Sequence, residues 1–398
     1  MSVKLSDRVQ RVKPSPTLAV TAKAAELRAA GKDIIGLGAG EPDFDTPEHI
    51  KAAAVEAISN GFTKYTAVDG TPSLKKAIVD KFARDNSFDY TPEQVLVSCG
   101  GKQSYFNLCQ ALLNSGDEVI IPAPYWVSYP DMALLADGKP VIVSAGQDQN
   151  FKITPEQLEA AITPRTKLFT LNSPSNPTGV AYTRAELEAL GKVLEGHPEI
   201  IIAVDDMYEH ILWSDEPFCN LLNACPALYD RTVVMNGVSK AYSMTGWRIG
   251  YAAGPVDLIK AMKKVQSQST SNPTSISQVA AQAAIEGDQG CIAPMLEAFK
   301  ARHDYVVERL NQMKGVECVK SDGTFYAFPS FQEVIDGLDD IDDDVALAEI
   351  LLNEAGVALV PGSAFGAPGH LRLSFATSKE NLQQALDRIA SYLDGINS

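Results

Sequence analysis

The sequence predicts an α/β protein: a large domain with a mostly parallel central sheet flanked by helices, and a smaller α+β domain. Three observations predict it. Short apolar runs without polar alternation recur through the first two thirds of the chain, as strands covered on both faces require. Helix-like segments stand between most of them. After about residue 290 this rhythm gives way to a long helical stretch and mixed, shorter runs. With 398 residues, 45% of them hydrophobic, the chain is long enough to bury two cores.

The first forty-odd residues offer no strand to the main sheet and are expected to pack on the smaller domain. In PEHIKAAAVEAIS (47–59) and TPSLKKAIVDKFARD (71–85), apolar residues three and four apart predict helices. QVLVSCG (94–100) reads as a short buried strand, followed by a helix KQSYFNLCQALLN (102–114) that Ser115-Gly116 stops. EVIIPAP (118–124), PVIVSA (140–145), KLFTLN (167–172), EIIIAVDD (199–206), TVVMNGVS (232–239) and IGYAAG (249–254) supply further strands. The helical stretch MLEAFKARHDYVVERLNQM (295–313) leads into VECV (316–319), TFYAFPSF (324–331) and a helix DVALAEILLNEAG (344–356). VALVPG (357–362), LRLSFA (371–376) and a helix ending near Leu393 complete the chain. The expected division is 49–295 for the large domain, with 1–48 and 296–398 forming the small one. The acidic run DGLDDIDDD (336–344) is expected to be a solvated loop or helix start.

A formal net charge of −16 repels phosphate-rich partners, so neither nucleic acid nor an acidic membrane surface is expected. Any anionic ligand must be held by a few local cations. The six cysteines show no metal-like spacing and the five histidines are scattered, which predicts reduced thiols and no metal site. No apolar run approaches the ~18 residues of a membrane span, and the N-terminus carries no apolar leader, so a cytoplasmic protein is expected.

Ligands of open α/β sheets bind at the carboxyl ends of the strands. After the apolar runs come Ser98, Gly100, Gly101 and Lys102; Tyr125 and Trp126; Asn172 and SPSNPTG (173–179); Asp205, Asp206 and Tyr208; and Ser239 and Lys240. Singly, each has a plain structural account: a tight turn at the glycine pair, a helix N-cap at Asp205-Asp206, a core Trp126, a snorkelling Lys240. Together they suit pyridoxal phosphate. Its aldehyde needs an amine of depressed pKa, its ring nitrogen an aspartate, its ring face an aromatic, and its phosphate a helix N-terminus and an arginine. Lys240 would hold the aldehyde and Arg248, eight residues on, the phosphate of one molecule.

GLGAGEPDFDTP (36–47), TKYTAVDGTPSLKKAI (63–78), SCGGKQ (98–103), APYWVSYP (123–130), SPSNPTG, VDDMYEH (204–210), SKAYSMTGWRIGY (239–251) and LRLSFA, taken in order, resemble the class I aminotransferases of pyridoxal-phosphate fold type I. Within them the chain is most similar to the bacterial-type (Ib) aspartate aminotransferase branch. The resemblance covers nearly the whole chain. It implies that Lys240 is the Schiff-base lysine and proton shuttle, that Asp205 pairs with the pyridine nitrogen, and that Tyr208 and Asn176 hydrogen-bond the ring's phenolic oxygen. It further implies that Trp126 stacks on the ring, that Gly101, Lys102, Ser239 and Arg248 hold the phosphate, and that Tyr65 reaches that phosphate from a neighbouring subunit of a homodimer. Arg372 would clamp the substrate α-carboxylate, with Gly40 beside it. Lys102 would read the second carboxylate, assisted by Ser15 and Thr17; a plain phosphate contact is the other reading of Lys102. Ala123-Pro124 and Asn176-Pro177 are the expected cis bonds.

The implied reaction is ping-pong transamination between amino and keto acids, with L-aspartate and 2-oxoglutarate as the pair. Prephenate or broader dicarboxylate and aromatic aminotransferases of the same branch are alternatives, as are a cofactor-dependent lyase or synthase and a non-catalytic cofactor-binding sensor. Two departures stand out. Gly237 occupies the position, three before the lysine, where many such enzymes have Ser or Thr, so Ser239 or SNPTS (271–275) of the partner would have to replace that phosphate donor. A one-residue slip would exchange Tyr125 and Trp126.

Overall fold

The computed structural model of the protein describes residues 3–338 and 341–396. Its strands are β1 (Ile35–Gly36), β2 (Val95–Ser98), β3 (Glu118–Ala123), β4 (Lys139–Ser144), β5 (Thr166–Asn172), β6 (Ile201–Asp205), β7 (Thr232–Gly237), β8 (Gly250–Ala253), β9 (Tyr326–Ala327), β10 (Val357–Ala358), β11 (Val360–Pro361) and β12 (Leu371–Ser374). Seven form the main sheet in the order β2-β8-β7-β6-β5-β3-β4. β8 alone runs against its neighbours, pairing antiparallel with β2 and β7; the remaining pairs are parallel.

The unbroken apolar runs follow from helices on both faces. Successive side chains of a strand point to opposite sides. Val95 and Val97 of β2, Phe169 and Leu171 of β5, Ile202 and Val204 of β6 and Val234 of β7 enter one core layer. Leu96, Leu168, Ala203, Val233 and Met235 enter the other. β4 departs from this expectation because it is an edge strand: Ile142 is left exposed.

A third core gathers Phe299 and Leu310 of the helix Ile292–Leu310, Phe325, Leu371 and Leu373, and Leu382, Leu386 and Ile389 of the helix Lys379–Ile396. Ile35 and Leu37 of the N-terminal segment belong to it, with β1 pairing parallel to β10. A three-stranded antiparallel sheet, β11-β12-β9, stands beside them. VECV contributes one isolated bridge, Glu317 to Ser330, rather than a strand. Two expected helices each end in a π turn: Pro72–Lys81 passes into Phe82–Asn86, and Asp344–Ile350 into Leu351–Ala355.

One expectation is corrected, and a second is borne out only in part. The cis bonds are Ala123–Pro124 and Ser173–Pro174, not Asn176–Pro177; the chain turns one residue beyond β5, and the Asn176 N–H is then engaged by Asn172 Oδ1 at 2.9 Å. The acidic run does start a helix, as expected, but it is not wholly solvated. Asp339 and Asp340 lie outside the described residues, and Asp343 caps a helix by accepting from the Ala346 N–H. Asp344 is fully buried, accepting from the N–H groups of Ser363 (2.7 Å) and Gly369 (3.3 Å) and from the Ser363 hydroxyl.

All six cysteines are free thiols. No helix among the described residues is long and apolar enough to cross a membrane. Asp85, Glu209 and His210 lie close enough to share a cation, but Lys81 already pairs with both carboxylates.

Replacing Asp344 by Ala removes the acceptor of the buried Gly369 N–H and of two groups on Ser363. The expected loss is about 1–3 kcal/mol in urea unfolding followed by circular dichroism.

Candidate active site

The carboxyl ends of β2, β3, β5, β6 and β7 open into a cleft of about 450 Å³, a volume suited to a cofactor-sized ligand. Because β8 runs backwards, the exit of β7 and the entry of β8 share this rim. Lys240, three residues past β7, and Arg248, two before β8, therefore face the same space.

The Lys240 amine donates to the Gly40 carbonyl and lies 5.8 and 5.6 Å from the ring centres of Tyr208 and Phe325. Enclosure, then the Arg372 and Arg248 cations, pull its pKa down to about 8; Glu41 and Asp205 oppose them. An amine so placed is partly neutral, hence nucleophilic, near physiological pH.

Asp205, ending β6, accepts from the Tyr129 hydroxyl at 2.6 Å and from the Met207 N–H at 3.1 Å. Burial pushes its pKa up, while Tyr129, the Met207 N–H and Lys240 pull it back. The next residue, Asp206, points into the core and accepts from Asn220; burial and Glu209 push its pKa far up. The two aspartates are thus not one motif.

Arg372 is 2% exposed, yet it pairs with no carboxylate among the described residues. Its Nη1 donates to Asn176 Oδ1 (2.9 Å), its Nη2 to the Gly38 carbonyl (2.7 Å), and its Nε has no partner. The Tyr326 ring lies 4.4 Å from the guanidinium carbon. A buried guanidinium without a counter-ion is expensive. A ligand carboxylate is what this arrangement lacks.

The third feature is a bare backbone cradle. Gly100, at φ +87°, caps the twelve-residue helix Gly101–Leu112. A side chain at Gly100 would strike the Arg248 guanidinium, and one at Gly250 would reach the Gly101 nitrogen at 2.2 Å. Arg248 donates to the carbonyls of Thr245 (2.8 Å) and Cys99 (3.3 Å). Glycine at 237 also has a steric reason: a Cβ there would meet Gly250 Cα, the Ile249 carbonyl and Met207 Cε, each at 3.1 Å.

Trp126 lines the cleft, with the Lys102 ammonium 5.1 Å from its ring centre. Burial and Arg248 lower the Lys102 pKa, opposed by Asp131. Tyr125 turns away instead, against Gly366, its N–H donating to the Phe365 carbonyl at 3.0 Å. Ser15, Thr17, Gly40, Gly101, Asn176, Tyr208 and Ser239 also line the cleft. Tyr65 does not: it is 91% exposed and lies outside.

Sequence reasoning missed two residues. Tyr129 anchors Asp205, and it stands in the first turn of the helix Ser128–Leu135 just beyond Trp126. Tyr326 meets the Tyr208 hydroxyl at 3.0 Å and stacks on Arg372. TFYAFPSF held no cue that Tyr326 faces the cleft while Phe325 enters the core.

A strongly cationic pocket with one poised amine, set at the rim of a mostly parallel sheet, marks an enzyme that handles small carboxylates by amine chemistry. The chain belongs to the aminotransferase class I and II family, whose model matches residues 32–389. It is 61% identical to an aspartate/prephenate aminotransferase of Nitrosomonas europaea, over 98% of this chain and 100% of that protein. With an aspartate aminotransferase of Geobacillus stearothermophilus it shares 52% identity over 98% and 99% of the two chains. Among solved structures, the aspartate aminotransferase of Rhizobium meliloti superposes with a TM-score of 0.95 at 48% identity, covering 99% of each chain. That of Thermus thermophilus with maleate gives 0.92 at 46%, covering 98% of this chain and all of its own.

The cofactor of this chain is pyridoxal phosphate. The residues present fit it: a glycine-lined helix start that leaves N–H groups bare beside Arg248, an amine of lowered pKa, and a carboxylate at the cleft floor.

Two outcomes are expected. Borohydride trapping of pyridoxal phosphate on Lys240 should rise with pH around a midpoint near 8; since Arg372 depresses that pKa, Arg372→Leu should move the midpoint upward. Tyr129→Phe removes a donor that lowers the Asp205 pKa, so its carboxyl band in infrared difference titration should protonate at higher pH than in the unsubstituted protein.

Proposed function

We propose that the chain transfers the amino group of L-aspartate to 2-oxoglutarate, giving oxaloacetate and L-glutamate by ping-pong chemistry. The observation that carries this reading is the buried Arg372, without a counter-ion, in the same cleft as a second cation, Lys102. Two such cations suit a dicarboxylate. The Geobacillus relative bears the name aspartate aminotransferase, and the Thermus neighbour was solved with maleate, itself a dicarboxylate.

Bound pyridoxal phosphate supplies the aldehyde that takes up the substrate amine and a ring that accepts the electron pair released at Cα. The chain's residues do the rest. Arg372 holds the α-carboxylate, with Gly40 beside it. Lys240, neutral above about pH 8, would carry the proton from the substrate's Cα to the cofactor's C4′, and in the opposite direction in the second half-reaction. Asp205, whose anion the Tyr129 hydroxyl and the Met207 N–H both favour, would pair with the protonated ring nitrogen. Tyr208, whose hydroxyl also meets Tyr326, and Asn176, whose Oδ1 accepts from Arg372, would hydrogen-bond the ring's phenolic oxygen. Trp126 would stack on the ring, and Gly101, Ser239 and Arg248 would hold the phosphate. Lys102 reads the distal carboxylate at a mouth lined by Ser15 and Thr17.

The working form is a cytoplasmic homodimer in which Tyr65 of one subunit contacts the phosphate held by the other. Its support is the exposure of Tyr65 together with Val55, Ile58 and Phe62 nearby. A second acceptor, prephenate, is favoured by the name of the Nitrosomonas relative and by the cleft's extension along Leu18 and Thr21.

A transamination panel with aspartate and alanine as donors and 2-oxoglutarate and prephenate as acceptors tests the reading. Arg372→Lys should raise KM for both amino acids by on the order of tenfold or more. Lys102→Ala should cost about tenfold in kcat/KM for aspartate and little for alanine. Equal losses for the two would remove the specificity role of Lys102, and absence of turnover with every acceptor would sink the reading.

A further inference from the structure

Residues 62–70 contain neither helix nor strand, and Tyr65 projects from them into solvent. Loops of this kind are ordinarily mobile. This one is held from beneath by two fully buried glutamines. Gln278 accepts from the Thr71 N–H at 2.8 Å and donates to Thr66 Oγ1 (2.9 Å) and the Pro273 carbonyl (2.8 Å). Gln266 donates to the carbonyls of Val68 (2.7 Å) and Val97 (2.8 Å) and accepts from Ser98 and Asn107. Ser275 donates to the Phe62 carbonyl at 2.7 Å, and Lys75 and Lys263 both clasp Asp69.

Both N–H bonds of each carboxamide are donated and each oxygen accepts. Buried amides satisfied this completely fix one geometry, because any displacement of the loop leaves polar groups unpaired in the interior. The geometry fixed here is that of a segment whose aromatic side chain does nothing in its own cleft. We propose that Gln278 and Gln266 are positioning residues that hold Tyr65 ready for the phosphate site of a second copy of this chain. The inference rests on the homodimer reading above. Gln266 also touches Ser98, at the strand end leading to its own cradle, so Gln278 is the cleaner residue to vary.

In full-length dimers, pyridoxamine phosphate binding followed by tryptophan fluorescence should weaken roughly tenfold for Tyr65→Phe and about threefold or more for Gln278→Met. Thr66→Val, which removes one bond of the clamp, should weaken it less. Mixed dimers then locate the defect. A Gln278→Met chain paired with a Lys240→Ala chain has its live site next to an intact loop, and half-maximal activity should need the unsubstituted cofactor concentration. A chain carrying both changes, paired with an unsubstituted chain, should need the higher one. If Tyr65→Phe fails to act across the dimer in the same pairings, the homodimer reading falls. If Tyr65→Phe acts across it while Gln278→Met leaves binding unchanged, or impairs the site of its own chain, the positioning role alone is overturned.

Discussion

Repulsion among cations that the fold forces together governs this molecule. Lys240, Arg248 and Arg372 face one cleft, and the pKa of Lys240 is lowered by burial first and then by the two arginines. The chain as a whole is strongly acidic, yet its carboxylates are not spent on Arg372. Isolated cations in a partly dry space are unfavourable unless an anion joins them. A phosphate and a substrate carboxylate each bring that anion, so the imbalance favours binding and orients it.

The arrangement is possible because neutral dipoles stand in for carboxylates. The Gly40 carbonyl receives the Lys240 ammonium and the Gly38 carbonyl receives Arg372. A carbonyl satisfies a donor without cancelling its charge, so the cations remain available to a ligand. These carbonyls belong to the N-terminal segment, whose β1 is fixed on β10; the lysine belongs to the main sheet, and the arginine to β12. Three separate parts of the chain must converge before the cleft exists, which ties its chemistry to tertiary folding rather than to any one element.

The sequence showed best what depends on strand ends. Asp205, Lys240, Gly101 and Trp126 were legible because unbroken apolar runs mark buried strands, and the residue after such a run lies on the rim. Arg372 was legible from the ordered motifs, but its lack of a counter-ion was not, since partners 196 and 334 positions away cannot be read from spacing. Tyr326 stayed hidden for a related reason: β9 has two residues, too few for alternation to show which one faces the cleft. The helix start in the acidic run was legible, but the burial of Asp344 was not, since the groups that donate to it lie on a turn nineteen to twenty-five positions later.

Asp205 and Asp206 show how one environment yields opposite groups. Burial drives both carboxyls toward the neutral form. Their partners then separate them. Asp205 meets a hydroxyl, an N–H and an ammonium, all of which favour its anion. Asp206 meets Asn220 but also the carboxylate of Glu209, which favours its acid. At the end of β6 the chain sends one side chain to the cleft and the next to the core, so position along the strand decides which set of partners each meets. Desolvation is the largest influence on the Asp205 carboxyl, and it raises the pKa. The Tyr129 hydroxyl, reaching in from the neighbouring helix Ser128–Leu135, is the strongest of the groups that oppose that rise at Asp205.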